Sequence, residues 1–187
     1  MEKISLYFVL IAVIFSCSSD DNRSDSTQDP QVPETILYDL NEDLADDFKL
    51  EYRLGVWDGI RASGLVYSGR LEALGENRLL SEYEENVSTT FLFVKMGDTI
   101  RSNVSTPQSW DNRARLIELW QDGNGAWAKE WEIESKKESG AYYVGVQINT
   151  NDEFLIGWLK LEIDKKTGKI DIVDQDLVSE DFIVIDR

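Results

Sequence analysis

Alternation of apolar and polar positions dominates this chain. In Phe48-Lys49-Leu50-Glu51-Tyr52-Arg53-Leu54 every second residue is apolar, which places them on one face of a strand. Trp127, Trp131 and Ile133 share a face across Ala126–Glu134, interrupted by Lys129. Tyr142, Val144, Val146 and Ile148 repeat the pattern, and Leu155, Leu159, Leu161 and Ile163 do so around Gly157. Turn-forming residues fall between these runs: Asp58-Gly59, Gly97-Asp98, Asp122-Gly123-Asn124-Gly125, Ser139-Gly140 and Thr167-Gly168. Trp158–Asp164, a Lys-Lys-Thr-Gly turn and Lys169–Val173 together predict a β-hairpin. Helical signals are weaker, with a turn or two expected in Leu79–Glu85 and in Asp111–Trp120. Closely spaced strands without βα alternation predict an all-β domain. The expected architecture is an antiparallel β-sandwich, jelly-roll-like or immunoglobulin-like, or a partly open barrel.

The N-terminus follows a different rule. Ile4 to Phe15 is almost wholly apolar, but as a helix it would reach only about 18 Å, against about 30 Å for a hydrocarbon core. A weakly positive start, a short apolar run and a small residue before Cys17 read as a secretory signal over residues 1–16. From Ser18 to Thr35 there is no apolar periodicity, only Ser, Asp, Asn, Gln and similar residues with Pro30 and Pro33. That composition predicts a disordered acidic tether over residues 17–35. Residues 36–187 then form one domain, long enough for a sizeable core.

Charge narrows the partners. The chain has 36 acidic and 19 basic residues and no histidine, a net charge of −17. That balance excludes nucleic acid as an expected partner, because phosphates demand Lys and Arg, and it disfavours docking on anionic lipid. Without histidine a Ser-His-Asp or Cys-His centre is impossible, as is a His-based zinc site. Paired carboxylates could still hydrolyse a glycoside, and Glu130, Glu132 and Glu134 alternate on one segment.

One spacing points to a cation. Asp39, Asn41, Asp43 and Asp47 occupy relative positions 1, 3, 5 and 9 of a tight loop, and Ala45 at position 7 could supply a carbonyl. This is the donor pattern of a structural calcium site; the alternative is a solvated acidic turn leading into a strand. Leu44 stands where such loops place a glycine, and a left-handed leucine costs about 1 kcal/mol or more. Six tryptophans raise a second possibility, since exposed indoles stack on sugar rings. Trp57 and Trp110 sit in loop-like contexts and are the candidate ligand-binding residues, whereas Trp127, Trp131 and Trp158 read as core.

Ile14-Phe15-Ser16-Cys17 resembles the lipobox of bacterial lipoproteins. The resemblance implies cleavage before Cys17, acylation of its thiol and new amine, and stable attachment to membrane lipid, because two or more chains anchor where one does not. Ser19-Asp20-Asp21-Asn22 is similar to the Ser/Asp-rich signal that sends Bacteroidota lipoproteins to the outer cell surface. The Asp39–Asp47 spacing resembles calcium loops inserted in extracellular β-proteins. Tyr142–Val146 followed by Phe154–Leu161 resembles an aromatic-x-Gly and Gly-Trp strand pair found in secreted bacterial β-proteins. Asp25-Ser26-Thr27 and Asp98-Thr99-Ile100 resemble Bacteroidota O-glycosylation acceptors. The expectation is a lipid-anchored outer-membrane protein that binds a glycan or an envelope protein without catalysis. Its alternatives are a carboxylate-dependent glycan hydrolase and a purely structural envelope component.

Overall fold

The computed structural model describes residues 29–58, 63–84, 87–91, 93–133, 142–150 and 153–186. Among these the chain is all-β, with antiparallel pairing throughout and no sheet closed into a barrel. Its strands are β1 (Ile36–Tyr38), β2 (Phe48–Asp58), β3 (Ser63–Ala73), β4 (Arg78–Glu84), β5 (Val87–Phe91), β6 (Phe93–Val94) and β7 (Thr99–Arg101). They continue as β8 (Gln108–Asp111), β9 (Arg113–Trp120), β10 (Glu132–Ile133), β11 (Tyr142–Asn149), β12 (Phe154–Ile163), β13 (Ile170–Val178) and β14 (Phe182–Val184).

Three layers result. A five-stranded sheet runs β1-β2-β3-β9-β10. A seven-stranded sheet runs β13-β12-β11-β4-β5, with β6 added beside β11 and β8 beside β4, and β7 pairs with β14 in a separate ribbon. Strand parity explains the layering. Val144, Val146 and Ile148 of β11 and Leu159 and Leu161 of β12 point into the main core, where they meet Phe48, Leu50 and Leu71 of the other sheet. Their neighbours Tyr143, Ile156 and Trp158 point the opposite way into a second cluster, closed by Ile100, Ile183 and Ile185 from the ribbon and its flank. The seven-stranded sheet is therefore buried on both faces at its centre. Gly145 permits this closeness, because a Cβ there would lie 2.8 Å from the Leu80 Cβ.

The expected hairpin is present and longer than its sequence signal: Ile163 pairs with Ile170 and Ile156 with Val178. The two expected helical turns are strands instead. Leu79 and Leu80 are adjacent and both buried because β4 is covered on both faces, and a doubly buried strand loses the alternation that marks a strand in sequence. In β9 the cause is a bulge. Gly69 pairs with Ile117 and Arg70 with Arg115, leaving Leu116 as the extra residue, so Leu116 and Ile117 are both buried. Ala126–Ile133 is not one continuous strand either. Trp127 makes a single bridge to Gln121, a bend follows at Lys129-Glu130, and only Glu132–Ile133 pairs, with β9. Trp127, Trp131 and Ile133 nevertheless all pack on the main core.

Candidate functional site

The outer face of the five-stranded sheet carries the densest arrangement of functional side chains. In β2, Phe48, Leu50 and Tyr52 turn inward, so Lys49, Glu51, Arg53, Gly55 and Trp57 face outward. Register places Glu72, Arg70, Ser68, Val66 and Gly64 of β3 beside them, and Arg113, Arg115, Glu118 and Trp120 of β9 beyond. Five of the 19 basic residues thus share a face with four glutamates, Glu51, Glu72, Glu118 and Glu132. In a chain of net charge −17 this face is close to neutral.

The charges interlock. Lys49 Nζ lies 3.1 Å from Glu51 and 2.9 Å from Glu72, and Arg53 Nε lies 2.5 Å from Glu51. Arg115 pairs with the buried Glu118 at 2.6 Å, and Glu118 also accepts the Ser68 hydroxyl at 3.4 Å. The Lys49 hydrogen bond holds the Glu72 carboxyl below the ordinary carboxylate range, and Glu72 in turn raises the Lys49 amine.

At the distal end of this ladder two tryptophans form a corner. Trp57 lies across the sheet over Gly64: a Cβ on that glycine would fall 2.6 Å from the indole Nε1. The same nitrogen donates to the Gln121 carbonyl at 3.3 Å. Glycine is thus required for the indole to come this close to the strand. Trp120 stands beside it, ring centroids 5.7 Å apart and planes at 75°. The two rings, both half-buried, form the two sides of this corner, with Arg53 and Glu118 on the same face. On the inner face of the same sheet end, Leu54 and Val56 are exposed, and Tyr67 packs on Trp127 at 5.2 Å.

The two candidate ligand tryptophans are not brought together. Trp57 is not in a loop but near the end of β2, and Trp110 is in β8 opposite Leu80. The Trp110 indole donates to the Ser102 carbonyl at 3.0 Å and packs on the second cluster, at the other side of the layered stack. Trp120, its partner in the corner, was not singled out by sequence. Its only sequence signal is its place at the end of the apolar run of β9.

The Asp39–Asp47 segment winds as its spacing suggests. Asp39 accepts the amides of Asp43 (3.2 Å) and Leu44 (2.8 Å), Asn41 that of Asp43 (3.1 Å), and Asp43 that of Ala45 (2.9 Å). Leu44 adopts φ 72° and is almost fully exposed, so the left-handed turn is made by leucine at the glycine position. Asp47 differs from the rest. It is buried, accepting the Leu40 amide at 2.8 Å and the Asn77 side chain at 3.0 Å, and Asn77 accepts the Asn149 amide. Asp47 therefore ties the loop to both sheets. Among the described residues no three His, Cys, Asp or Glu side chains converge into a ready-made metal cluster.

Cys17 and Asp25-Ser26-Thr27 lie outside the described residues, as does Glu134. Glu130 falls in a bend and Glu132 in β10, so they do not share a strand. Thr99 of the second acceptor motif is exposed on β7, while Ile100 is buried. No family model, no curated protein and no solved structure matches the chain.

Proposed function

We propose that this is a lipid-anchored, cell-surface glycan-binding protein without catalytic activity, and that the Trp57–Trp120 corner is its ligand site. The observation that carries the reading is the close approach of the Trp57 indole to Gly64, with Trp120 set against it nearly at right angles. A sugar ring offers C–H groups to an aromatic floor and hydroxyls to its rim, and Arg53, Glu118 and Arg115 supply charged hydrogen-bonding partners on the same face. Glu72, held ionised by Lys49, is suited to accepting hydrogen bonds and not to protonating a leaving group. Glycan-array screening followed by titration calorimetry tests the reading. Trp57→Ala and Trp120→Ala should each weaken the selected glycan by about 2 kcal/mol, roughly 30-fold, whereas Trp110→Phe should leave it unchanged. Equal affinity in all three, with melting curves showing folded protein, would remove the corner from consideration.

The anchor in this reading is Cys17, acylated after removal of residues 1–16 and placing the domain at the outer membrane. Cys17→Ala expressed in a Bacteroidota host should move from the membrane fraction to the soluble fraction, and protease added to intact cells should remove the wild-type domain. A variant that stays equally membrane-bound would refute lipidation; complete protection from protease would place the domain on the periplasmic side.

We further propose a structural calcium ion held by Asp39, Asn41, Asp43 and the Ala45 carbonyl, with Asp47 bracing the loop. Support comes from the loop amides, which gather on the side chains at positions 1, 3 and 5, and from the positive φ at position 6. Millimolar calcium should raise the melting temperature, chelator should reverse it, and Asp43→Ala should abolish it. Leu44→Gly should stabilise the chain by about 0.5–1 kcal/mol, relief of left-handed strain exceeding the entropy cost of glycine. If calcium leaves wild type and Asp43→Ala alike, the segment is an acidic turn only.

A further inference from the structure

A groove of about 770 Å³ opens between the segment Pro30–Ile36, a strap leading into β1, and the body of the domain. That volume lies within the range of about 300–1,000 Å³ usual for small-ligand sites. Val32, Pro30 and Pro33 of the strap face Leu119, Ala128 and Trp131 of the body. Around this apolar lining stand three exposed lysines, Lys129, Lys166 and Lys169, with Thr167 and one acid, Glu34. Lys169 also reaches Asp171 at 2.8 Å, a surface pair that competes weakly for it.

Lys166 and Lys169 are there because the β12–β13 turn is clamped in place, and Lys129 comes from the bend before β10. The Trp131 amide donates to the Lys165 carbonyl at 2.7 Å, and the Tyr52 hydroxyl donates to the Gly168 carbonyl at 2.7 Å. Gly168 has φ 73° and lies directly on the Trp131 indole, where any Cβ would collide. The Asp164 carboxylate accepts the Lys166 amide at 2.9 Å and the Thr167 hydroxyl at 2.8 Å, closing the turn. A chain with almost twice as many acids as bases thus places three lysines along the rim of an apolar groove.

We propose that this groove binds a free anionic amphiphile: a carboxylate or similar head paired with Lys129, Lys166 and Lys169, and an unbranched apolar tail laid between the strap and Leu119, Ala128 and Trp131. A head alone would gain only screened surface attraction, and a tail alone would leave the lysines unused, so both parts are needed. The site is separate from the Trp57–Trp120 corner and does not depend on it.

The test uses the full chain carrying Cys17→Ala, titrated by calorimetry with dodecanoate below its micelle concentration. Dodecyltrimethylammonium and inorganic phosphate serve as the opposite-charge and head-only probes. Dodecanoate should bind one to one, the cation should bind about tenfold more weakly, and phosphate should give no measurable heat. Lys129→Glu with Lys166→Glu should weaken dodecanoate about tenfold by removing charged hydrogen bonds. Ala128→Trp, at an exposed position, should block the groove and abolish binding without altering the melting curve. Equal binding of the cation, or dodecanoate binding unchanged in both variants, would overturn the proposal.

Discussion

Trp158→Ala is expected to cost about 3–5 kcal/mol, the usual range for deleting a large buried aromatic side chain. Trp158 is fully buried in the middle of β12, with Tyr143 at 5.6 Å in an edge-to-face contact. Its indole fills the second cluster between the seven-stranded sheet and the β7–β14 ribbon, alongside Leu80, Ile100 and Ile183. Removing it leaves a cavity that rigid strands on either side cannot close, and undermines the ribbon, whose own pairing is only three residues long. Trp158→Phe should recover most of the loss, since the ring contact with Tyr143 is kept. Chemical denaturation checks both; a loss below about 1 kcal/mol in the alanine variant would mean that the ribbon collapses onto the sheet and fills the space.

Asp47→Ala should be nearly as damaging, at about 2–5 kcal/mol, because it strands two buried donors, the Leu40 amide and the Asn77 side chain. The effect has a pH signature. Burial pushes the Asp47 carboxyl above the usual carboxylate range, against the hydrogen bonds from Leu40, Asn41 and Asn77, which lower it. A carboxyl with a raised folded-state value binds its proton more tightly folded than unfolded. Its contribution is therefore greatest at low pH and declines as pH rises from the ordinary carboxylate value through the raised one. The stability difference between wild type and Asp47→Ala should accordingly shrink over that window. Glu72, lowered by Lys49, works in the opposite sense, but it is common to both proteins and cancels in the difference. A difference that grows with pH would mean that Asp47 acts as a stabilised carboxylate.

Part of this molecule is decided by local sequence. The alternation of Phe48–Leu54 and Tyr142–Ile148 gives strands with a definite inner face whatever they pack against, because the side-chain period of a strand is fixed by its backbone. The Lys-Thr-Gly turn between β12 and β13 and the winding of Asp39–Asp46 are equally local, set by side chains that bond amides two to five residues away. Tertiary structure decided the rest. Whether Leu79-Leu80 and Leu116-Ile117 were helix or strand depended on burial from two sides and on a bulge, which no local period records. Asp47 looked like its acidic neighbours, yet the fold turns it inward to Asn77, thirty residues away in sequence, while Asp39 and Asp43 stay at the surface. The Trp57–Trp120 corner depends on the β2–β3–β9 register and on a glycine opposite Trp57. A cross-strand pair joins residues far apart in the chain, so its chemistry exists only once the sheet is formed.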